Sequence, residues 1–184
     1  MLTLLLMGVT ALFLALSGSY IYTRVQNPQI PPIKLPLLFY VNTAVLLLSS
    51  YTIRLTKKSY QSDDTLGYQN NLLYTFLLTL IFLISQIVAW SMLYQELKIA
   101  DQIHGSYLYI ISFVHFLHVI AGLPFLVLFY LTARKKMKEP VTVLVYFSDP
   151  EKLLKLRLLT RYWHFLDALW IYLVIFLGVS YLIK

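Results

Sequence analysis

Residues 72–93 read Leu72-Leu73-Tyr74-Thr75-Phe76-Leu77-Leu78-Thr79-Leu80-Ile81-Phe82-Leu83-Ile84-Ser85-Gln86-Ile87-Val88-Ala89-Trp90-Ser91-Met92-Leu93. No Asp, Glu, Lys or Arg interrupts this run, and the charge-free stretch extends from Thr65 to Gln95. About 20 such residues, coiled as a helix, cross the hydrocarbon core of a bilayer. Lipid offers the backbone no hydrogen-bond partners, so the segment must satisfy itself as a helix or join a closed barrel. Barrel strands alternate apolar and polar residues, and Leu77–Leu83 does not. The stretch therefore predicts a membrane-spanning helix.

Four further stretches repeat the pattern. Met1–Thr23 and Leu35–Ile53 carry no charge. Gly105–Ala133 holds His115 and His118, and Tyr162–Ile183 holds His164 and Asp167. The expectation is an all-α integral membrane protein, one domain over 1–184, with helices at about 2–23, 35–54, 71–94, 105–132 and 162–183. The whole-chain composition agrees: of 184 residues, 59% are apolar and 12% charged, against about 45–50% and about 25% in soluble domains. That excess excludes disorder and exceeds what one soluble core of this size hides. Leu2–Leu14 and Ala15-Leu16-Ser17 resemble the apolar region and cleavage site of a signal peptide. No Lys or Arg precedes them, so a retained helix is expected.

The loops set an orientation. Lys and Arg number two in the first loop (Arg24, Lys34) and three in the second (Arg54, Lys57, Lys58). The third has Lys98, the fourth has eight between Arg134 and Arg161, and the tail has Lys184. Alternate loops lie on opposite sides, so one face carries 11 and the other 4. The richer face is expected to be cytoplasmic, with the N-terminus inside and the C-terminus outside. The net charge of +7 then belongs with anionic phospholipid headgroups, not nucleic acid, because the basic residues flank apolar segments. Cysteine is absent, which removes disulfides, thiolate ligands and cysteine nucleophiles.

The basic fourth loop, 134–161, has internal pattern. Val141–Phe147 is β-prone and reads as extended. Asp149-Pro150 reads as a cap and first helical residue, while Ser148 and Glu151 also fit a capping box. Lys152–Thr160 then mixes leucines with Lys152, Lys155 and Arg157, as in a short helix on the membrane surface. The first loop, with Pro28, Pro31, Pro32 and Pro36, reads as an extended crossing. Ala11, Ala15 and Ser19 share one face of the first helix and would admit a partner subunit or the next helix closely.

Polar groups inside spans are few and costly. His115 and His118 stand at i and i+3, as do His164 and Asp167; Gln86 and Asn42 complete the set. Histidine pairs raise the prospect of a metal or b-type haem. Depth argues against it: His118 falls about 15 residues, roughly 22 Å, from the inner face, and Asp167 only about 8 Å. Hydrogen bonding between helices is the favoured reading. No Gly-x-Ser-x-Gly, His-Glu-x-x-His or P-loop occurs. One intramembrane acid is too few for a pump or transporter core, and no broken half-helices are apparent.

Three segments carry a family resemblance. Tyr162-Trp163-His164-Phe165-Leu166-Asp167-Ala168-Leu169-Trp170 resembles the last-helix signature of subunit III of haem-copper oxidases, Tyr-Trp-His-Phe-x-Asp-x-x-Trp. Phe113-Val114-His115-Phe116-Leu117-His118-Val119-Ile120-Ala121-Gly122 is similar to the family's Phe-His-Gly-Leu-His-Val-x-x-Gly, with one added residue and Phe116 for Gly. Gly105-Ser106 stands where that helix also begins with Gly-Ser. Asn42-Thr43 followed by Leu46-Leu47-Leu48-Ser49-Ser50 and Thr52 resembles the Asn-Thr-Leu-Leu-Leu-Leu-Ser-Ser element. The length is similar to the five-helix bacterial form, which lacks the first two helices of the seven-helix version. Two family carboxylates have no counterpart: Val9–Thr10 occupies the place of a glutamate in the first helix, and Ala89 that of an acid after Gln86.

The resemblance implies a non-redox supporting subunit of an aerobic terminal oxidase in a bacterial cytoplasmic membrane. Haem and copper would sit in subunits I and II, with none in this chain. The subunit would pack on subunit I, hold phospholipid in a cleft between its helices, and help keep the complex active. Cytochrome c is the expected donor. A quinol oxidase or a nitric oxide reductase are alternatives within the family. From another class, a b-haem anchor of a quinone-linked dehydrogenase is the competing reading. His115, His118, Tyr162, Trp163, His164, Asp167, Trp170, Asn42, Ser49 and Ser50 would be structural, and Asp167 would receive hydrogen bonds from a neighbour.

Overall fold

The computed structural model describes residues 1–27, 35–97 and 102–182, with side chains for all of these except 95–97 and 102–105. Six helices follow one another: α1 (Leu2–Gln26), α2 (Leu37–Gln61), α3 (Thr65–Leu97), α4 (Gln102–Lys136), α5 (Pro140–Phe147) and α6 (Pro150–Leu182). All except α5 are long and apolar enough to cross a membrane. No strand occurs among the described residues. Pro28, Pro31, Pro32, Lys34, Lys98 and Lys184 lie outside the described residues.

The helices outrun the charge-free windows, because hydropathy marks what lies in hydrocarbon, whereas a helix stops where its end groups find other partners. Helix α2 passes through Arg54, Lys57 and Lys58 to Gln61. It reverses over Ser62-Asp63-Asp64, where Asp63 takes the left-handed conformation with φ 55°. Asp64 Oδ1 then accepts the backbone N–H of Gly67 at 2.9 Å, capping α3. A Cβ at Gly67 would fall 2.0 Å from Asp64 Oδ2, so this tight cap needs glycine there.

The fourth loop departs most from expectation. Val141–Phe147 is helical, forming the second to last residues of α5. Pro140 opens the helix at its first position, where the missing N–H costs nothing. Tyr146 and Phe147 are buried, so tertiary packing overrides β propensity. Residues 152–160 are not a separate surface helix either; they are the opening turns of α6, a helix of 33 residues, about 50 Å long. Asp149, not Ser148, caps it: Asp149 Oδ1 accepts the backbone N–H of Glu151 at 3.0 Å and of Lys152 at 3.4 Å. The basic loop is thus largely helical.

Helix α2 lies along α3 and α6, α4 bridges α3 and α6, and α1 sits against α4 and α6. Hydrogen bonds stitch these pairs inside an apolar medium, where side-chain packing and polar pairs hold helices together. Trp90 Nε1 donates to Ser112 Oγ at 2.9 Å, and Tyr109 donates to the Trp90 carbonyl at 2.6 Å, joining α3 to α4. Tyr172 donates to Ser17 Oγ at 2.9 Å, joining α6 to α1. Helix α1 turns Val9, Phe13, Ser17 and Tyr20 inward. Ala11, Ala15 and Ser19 are exposed; of the three, Ser19 meets a neighbouring helix, sharing a hydrogen bond of 3.4 Å with Tyr107 of α4. Larger side chains fill the gap toward α4 and α6.

A large apolar core surrounds Trp170 in the middle of the bundle. A second gathers Tyr60, Tyr68, Tyr146, Phe147 and Trp163 at the end where α5 lies. Tyr60 donates to the carbonyls of Tyr146 at 2.8 Å and Asp149 at 3.1 Å. That tyrosine ties the turn between α5 and α6 to α2.

Candidate functional site

The site begins with the polar face of α2. Among the five long helices α2 has the lowest mean hydropathy, because it carries Asn42, Thr43, Ser49, Ser50 and Thr52. Helix α6 answers with two tryptophans and a histidine on one side. Trp163 Nε1 donates to Ser49 Oγ at 3.0 Å, and Trp170 Nε1 donates to Thr43 Oγ1 at 3.1 Å. Beside the first of these, Ser50 Oγ and His164 Nδ1 share a hydrogen bond of 2.6 Å. The partners run in opposite directions, from Ser49–Trp163 to Thr43–Trp170, so the helices are antiparallel and in fixed register. Two segments more than a hundred residues apart therefore form one clasp.

On its other side α2 meets α3. Thr52 and Thr75 share a hydrogen bond of 2.8 Å, and Asn42 Nδ2 donates to Gln86 Oε1 at 2.9 Å. Asn42 and Gln86 are fully buried, and Asn42 Oδ1 and Gln86 Nε2 make no further hydrogen bond.

Helix α4 closes on α6 at Gly122. A Cβ there would lie 2.9 Å from Tyr162 Cε1 and 3.1 Å from Trp163 Cζ3, so the absence of a side chain sets this close approach. Tyr162 donates to the His118 carbonyl at 2.7 Å. His115 rests against Trp170, ring centroids 5.1 Å apart, with Phe82 edge-on at 5.9 Å. These contacts correct the depth argument. Gly122 faces Tyr162 and Trp163 while His115 faces Trp170, so His118 lies level with the His164–Asp167 turn. Taking Tyr162 as the start of the helix misplaced its depth, since α6 begins at Pro150.

Direction, not depth, separates the histidines. His115 is fully buried beside Phe82 and Trp170, and neither of its ring nitrogens has a hydrogen-bond partner. His118 donates from Nδ1 to the Val114 carbonyl at 2.7 Å and meets Phe13 of α1 edge-on at 6.2 Å. His164 turns to Ser50 on α2. Spacing of i and i+3 gave His115 and His118 a common side of α4, but their rings address different neighbours. Among the described residues no three His, Asp or Glu side chains converge as a metal site would require.

Ser50, His164 and Asp167 bring together the residue types of a nucleophilic triad, yet not its geometry. Ser50 Oγ and Asp167 Oδ2 both face His164 Nδ1, at 2.6 Å and 3.9 Å. A triad uses the two opposite ring nitrogens for base and orienter. Asp167 is 5% exposed, and among the described residues neither of its oxygens meets a donor at hydrogen-bond distance. The 3.9 Å between Asp167 Oδ2 and His164 Nδ1 is beyond hydrogen-bond distance.

Compared with known proteins, the chain matches the family model for cytochrome c oxidase subunit III over residues 16–181. The chain belongs to that family. The match covers the clasp on both helices and the α4 crossing. A cytochrome c oxidase subunit 3 of Synechocystis is 28% identical over 176 residues, covering 94% of this chain and 71% of the relative. One from Pisaster ochraceus is 32% identical over 146 residues, covering 79% and 50%. A probable cytochrome c oxidase subunit 3 from Rickettsia prowazekii is 26% identical over 140 residues, covering 76% and 47%. The chain thus spans about half the length of most of the curated relatives it matches. Membership in the subunit III family favours the oxidase reading over the b-haem anchor.

The sequence resemblance already contained Thr43, Ser49, Ser50, Gly122, Trp163 and Trp170, but not that they meet. The tyrosine cluster of Tyr60, Tyr68 and Tyr146 went unnoticed. Its one signal is compositional, 15 tyrosines in the chain, with no spacing that joins these three.

Proposed function

We propose that this chain is a non-redox supporting subunit of an aerobic terminal oxidase in a bacterial cytoplasmic membrane. It packs against the large subunit I, and the haem and copper centres belong to subunits I and II. The supporting observation is how the family motif is used. Trp163, His164 and Trp170 are engaged with Ser49, Ser50 and Thr43, so the polar groups of the motif hold this chain's own helices in register.

A groove of about 220 Å³ between α1 and α6, lined by Thr10, Phe13, Leu14, Phe165, Ala168, Leu169 and Tyr172, favours a phospholipid acyl chain. Its walls are almost wholly apolar, and a bilayer supplies such chains everywhere along α1. The charge distribution supports a cytoplasmic N-terminus and a cytoplasmic α4–α6 connection.

The test is purification of the complex from native membranes through a tag on this chain. A large co-purifying subunit of about a dozen helices and haem–copper absorbance are expected; a preparation without either ends the proposal. An alkaline phosphatase fused after residue 182 should be active, and silence there would reverse the orientation.

A further inference from the structure

The connection between α4 and α6 carries an apolar surface that none of the described residues covers. Helix α5, Pro-Val-Thr-Val-Leu-Val-Tyr-Phe, has no charged residue in its eight positions. At about 3.6 residues per turn, Val143, Tyr146 and Phe147 fall on one side and Val141, Leu144 and Val145 on the other. The first side packs on the tyrosine cluster: Phe147 meets Tyr60 at 5.2 Å and Tyr68 at 6.0 Å. The second side is open, with Val141 72%, Leu144 67% and Val145 64% exposed. A helix apolar all round is ordinarily buried all round, so the open side needs a non-aqueous surrounding.

Three observations favour lipid over protein. First, α5 starts four residues beyond Lys136, at the basic end of the α4 span, and ends three before Pro150 of α6, so its start lies close to the end of a span. Second, exposed cations flank it: Arg134, Lys135, Lys136 and Lys138 before it, Lys155, Arg157 and Arg161 after it. The acids nearby are Asp63, Glu139, Asp149 and Glu151; Asp149 pairs with Lys152 at 2.8 Å and Glu151 with Lys155 at 2.7 Å, and the cations outnumber them. Third, the open side presents only valine and leucine, without the Trp, Tyr or Arg that anchor protein interfaces. Exposed Leu154 and Leu158 on α6 and Leu128 and Leu131 on α4 extend apolar surface toward the spans.

We propose that α5 is an in-plane membrane helix whose Val141–Leu144–Val145 side dips into the headgroup–acyl boundary of an anionic leaflet, with the flanking Lys and Arg held at the phosphates. Such helices sit about 5–10 Å into that boundary. The surface helix expected from the sequence at 152–160 is thereby relocated to 140–147. This inference requires only that the chain span a bilayer; it holds whether or not the partner is an oxidase.

The chain has no cysteine, so single cysteines can be introduced cleanly. Nitroxide labels at V141C, L144C and V145C, with T142C as the flanking reference, are placed in the full chain. The protein is reconstituted in nanodiscs of equal phosphatidylglycerol and phosphatidylcholine. Collision rates with oxygen, which partitions into lipid, and with a water-soluble nickel chelate are then measured. The oxygen-to-nickel ratio should be at least threefold higher at 144 and 145 than at 142. It should fall when phosphatidylglycerol is omitted or when Arg134, Lys135, Lys136 and Lys138 are all changed to Gln. Equal ratios at 142 and 145 mean an aqueous connector and overturn the proposal. Labels at 144 and 145 shielded from both reagents in the native complex mean a protein partner and overturn it equally. The cysteine variants face outward, so unchanged helical circular dichroism confirms that they fold.

Discussion

Adding one methyl group at Gly122 should loosen the α4–α6 crossing. A Cβ there would stand 2.9 Å from Tyr162 Cε1 and 3.1 Å from Trp163 Cζ3, where ordinary contacts lie at 3.4–4 Å. The two rings would have to withdraw by about 0.5 Å and about 0.3 Å. Neither is free to do so. Tyr162 is held by its hydrogen bond to the His118 carbonyl at 2.7 Å, and Trp163, 2% exposed, by its bond to Ser49 at 3.0 Å. Overpacking a filled interior costs about 1–3 kcal/mol. Replacing a helical glycine by alanine returns about 0.5–1 kcal/mol through the lost backbone freedom. The net for Gly122→Ala is a destabilisation of about 0–2.5 kcal/mol, with its middle at about 1, or up to roughly 10 °C in Tm for a chain of this size. Gly18→Ala is the internal control, because a Cβ there meets nothing within 4 Å; it should be neutral or gain about 0.5–1 kcal/mol. The assay is thermal unfolding of the detergent-purified chain followed by circular dichroism. If Gly122→Ala melts above the parent while Gly18→Ala is neutral, the close approach of α4 to α6 is refuted.

A double-mutant cycle on Ser49→Ala and Trp163→Phe should give a coupling of about 0.6 kcal/mol, and not above about 1.7, the range for hydrogen bonds between membrane helices; additive effects in SDS titrations would deny the bond. The Asp149 carboxyl is held below the usual carboxylate range by its bond to the Lys152 ammonium and by the N–H groups of Glu151 and Lys152. Because its folded-state pKa is depressed, its contribution is complete above about 4 and disappears as pH falls through the folded value. Helicity of the parent should therefore drop on acidification below that point by more than that of Asp149→Asn, and matching acid profiles would exclude the cap as the cause. Asp167→Asn is isosteric, and among the described residues Asp167 has no donor at hydrogen-bond distance. The variant should fold as an isolated chain with the helical circular dichroism of the parent, yet recover less large subunit in tag purification of the complex. Normal subunit stoichiometry with lost oxygen reduction would contradict that outcome and assign Asp167 to the chemistry.

The five spans were legible before any coordinates because lipid imposes one requirement on every backbone group, and long charge-free runs have only the helix to meet it. The helix ends were not, since Arg54, Lys57 and Lys58 remain helical outside the hydrocarbon and hydropathy is blind to them. The Asp149-Pro150 cap was readable, being local chemistry between residues two and three apart. The neighbouring Val141–Phe147 was misread as extended because its conformation depends on Tyr60 and Tyr68, supplied by other helices.

The same division runs through the site. Residue types and spacings established a membrane-embedded helical chain, its family resemblance, and the motif residues from Asn42 to Trp170. Tertiary structure alone decided that Ser49, Ser50 and Thr43 belong to Trp163, His164 and Trp170. It alone decided that His115, His118 and His164 point to three different neighbours. It alone left one side of α5 without cover. Spacing along a helix places a residue on a face, but the direction of a ring and the identity of its partner depend on packing between segments that sequence order leaves far apart.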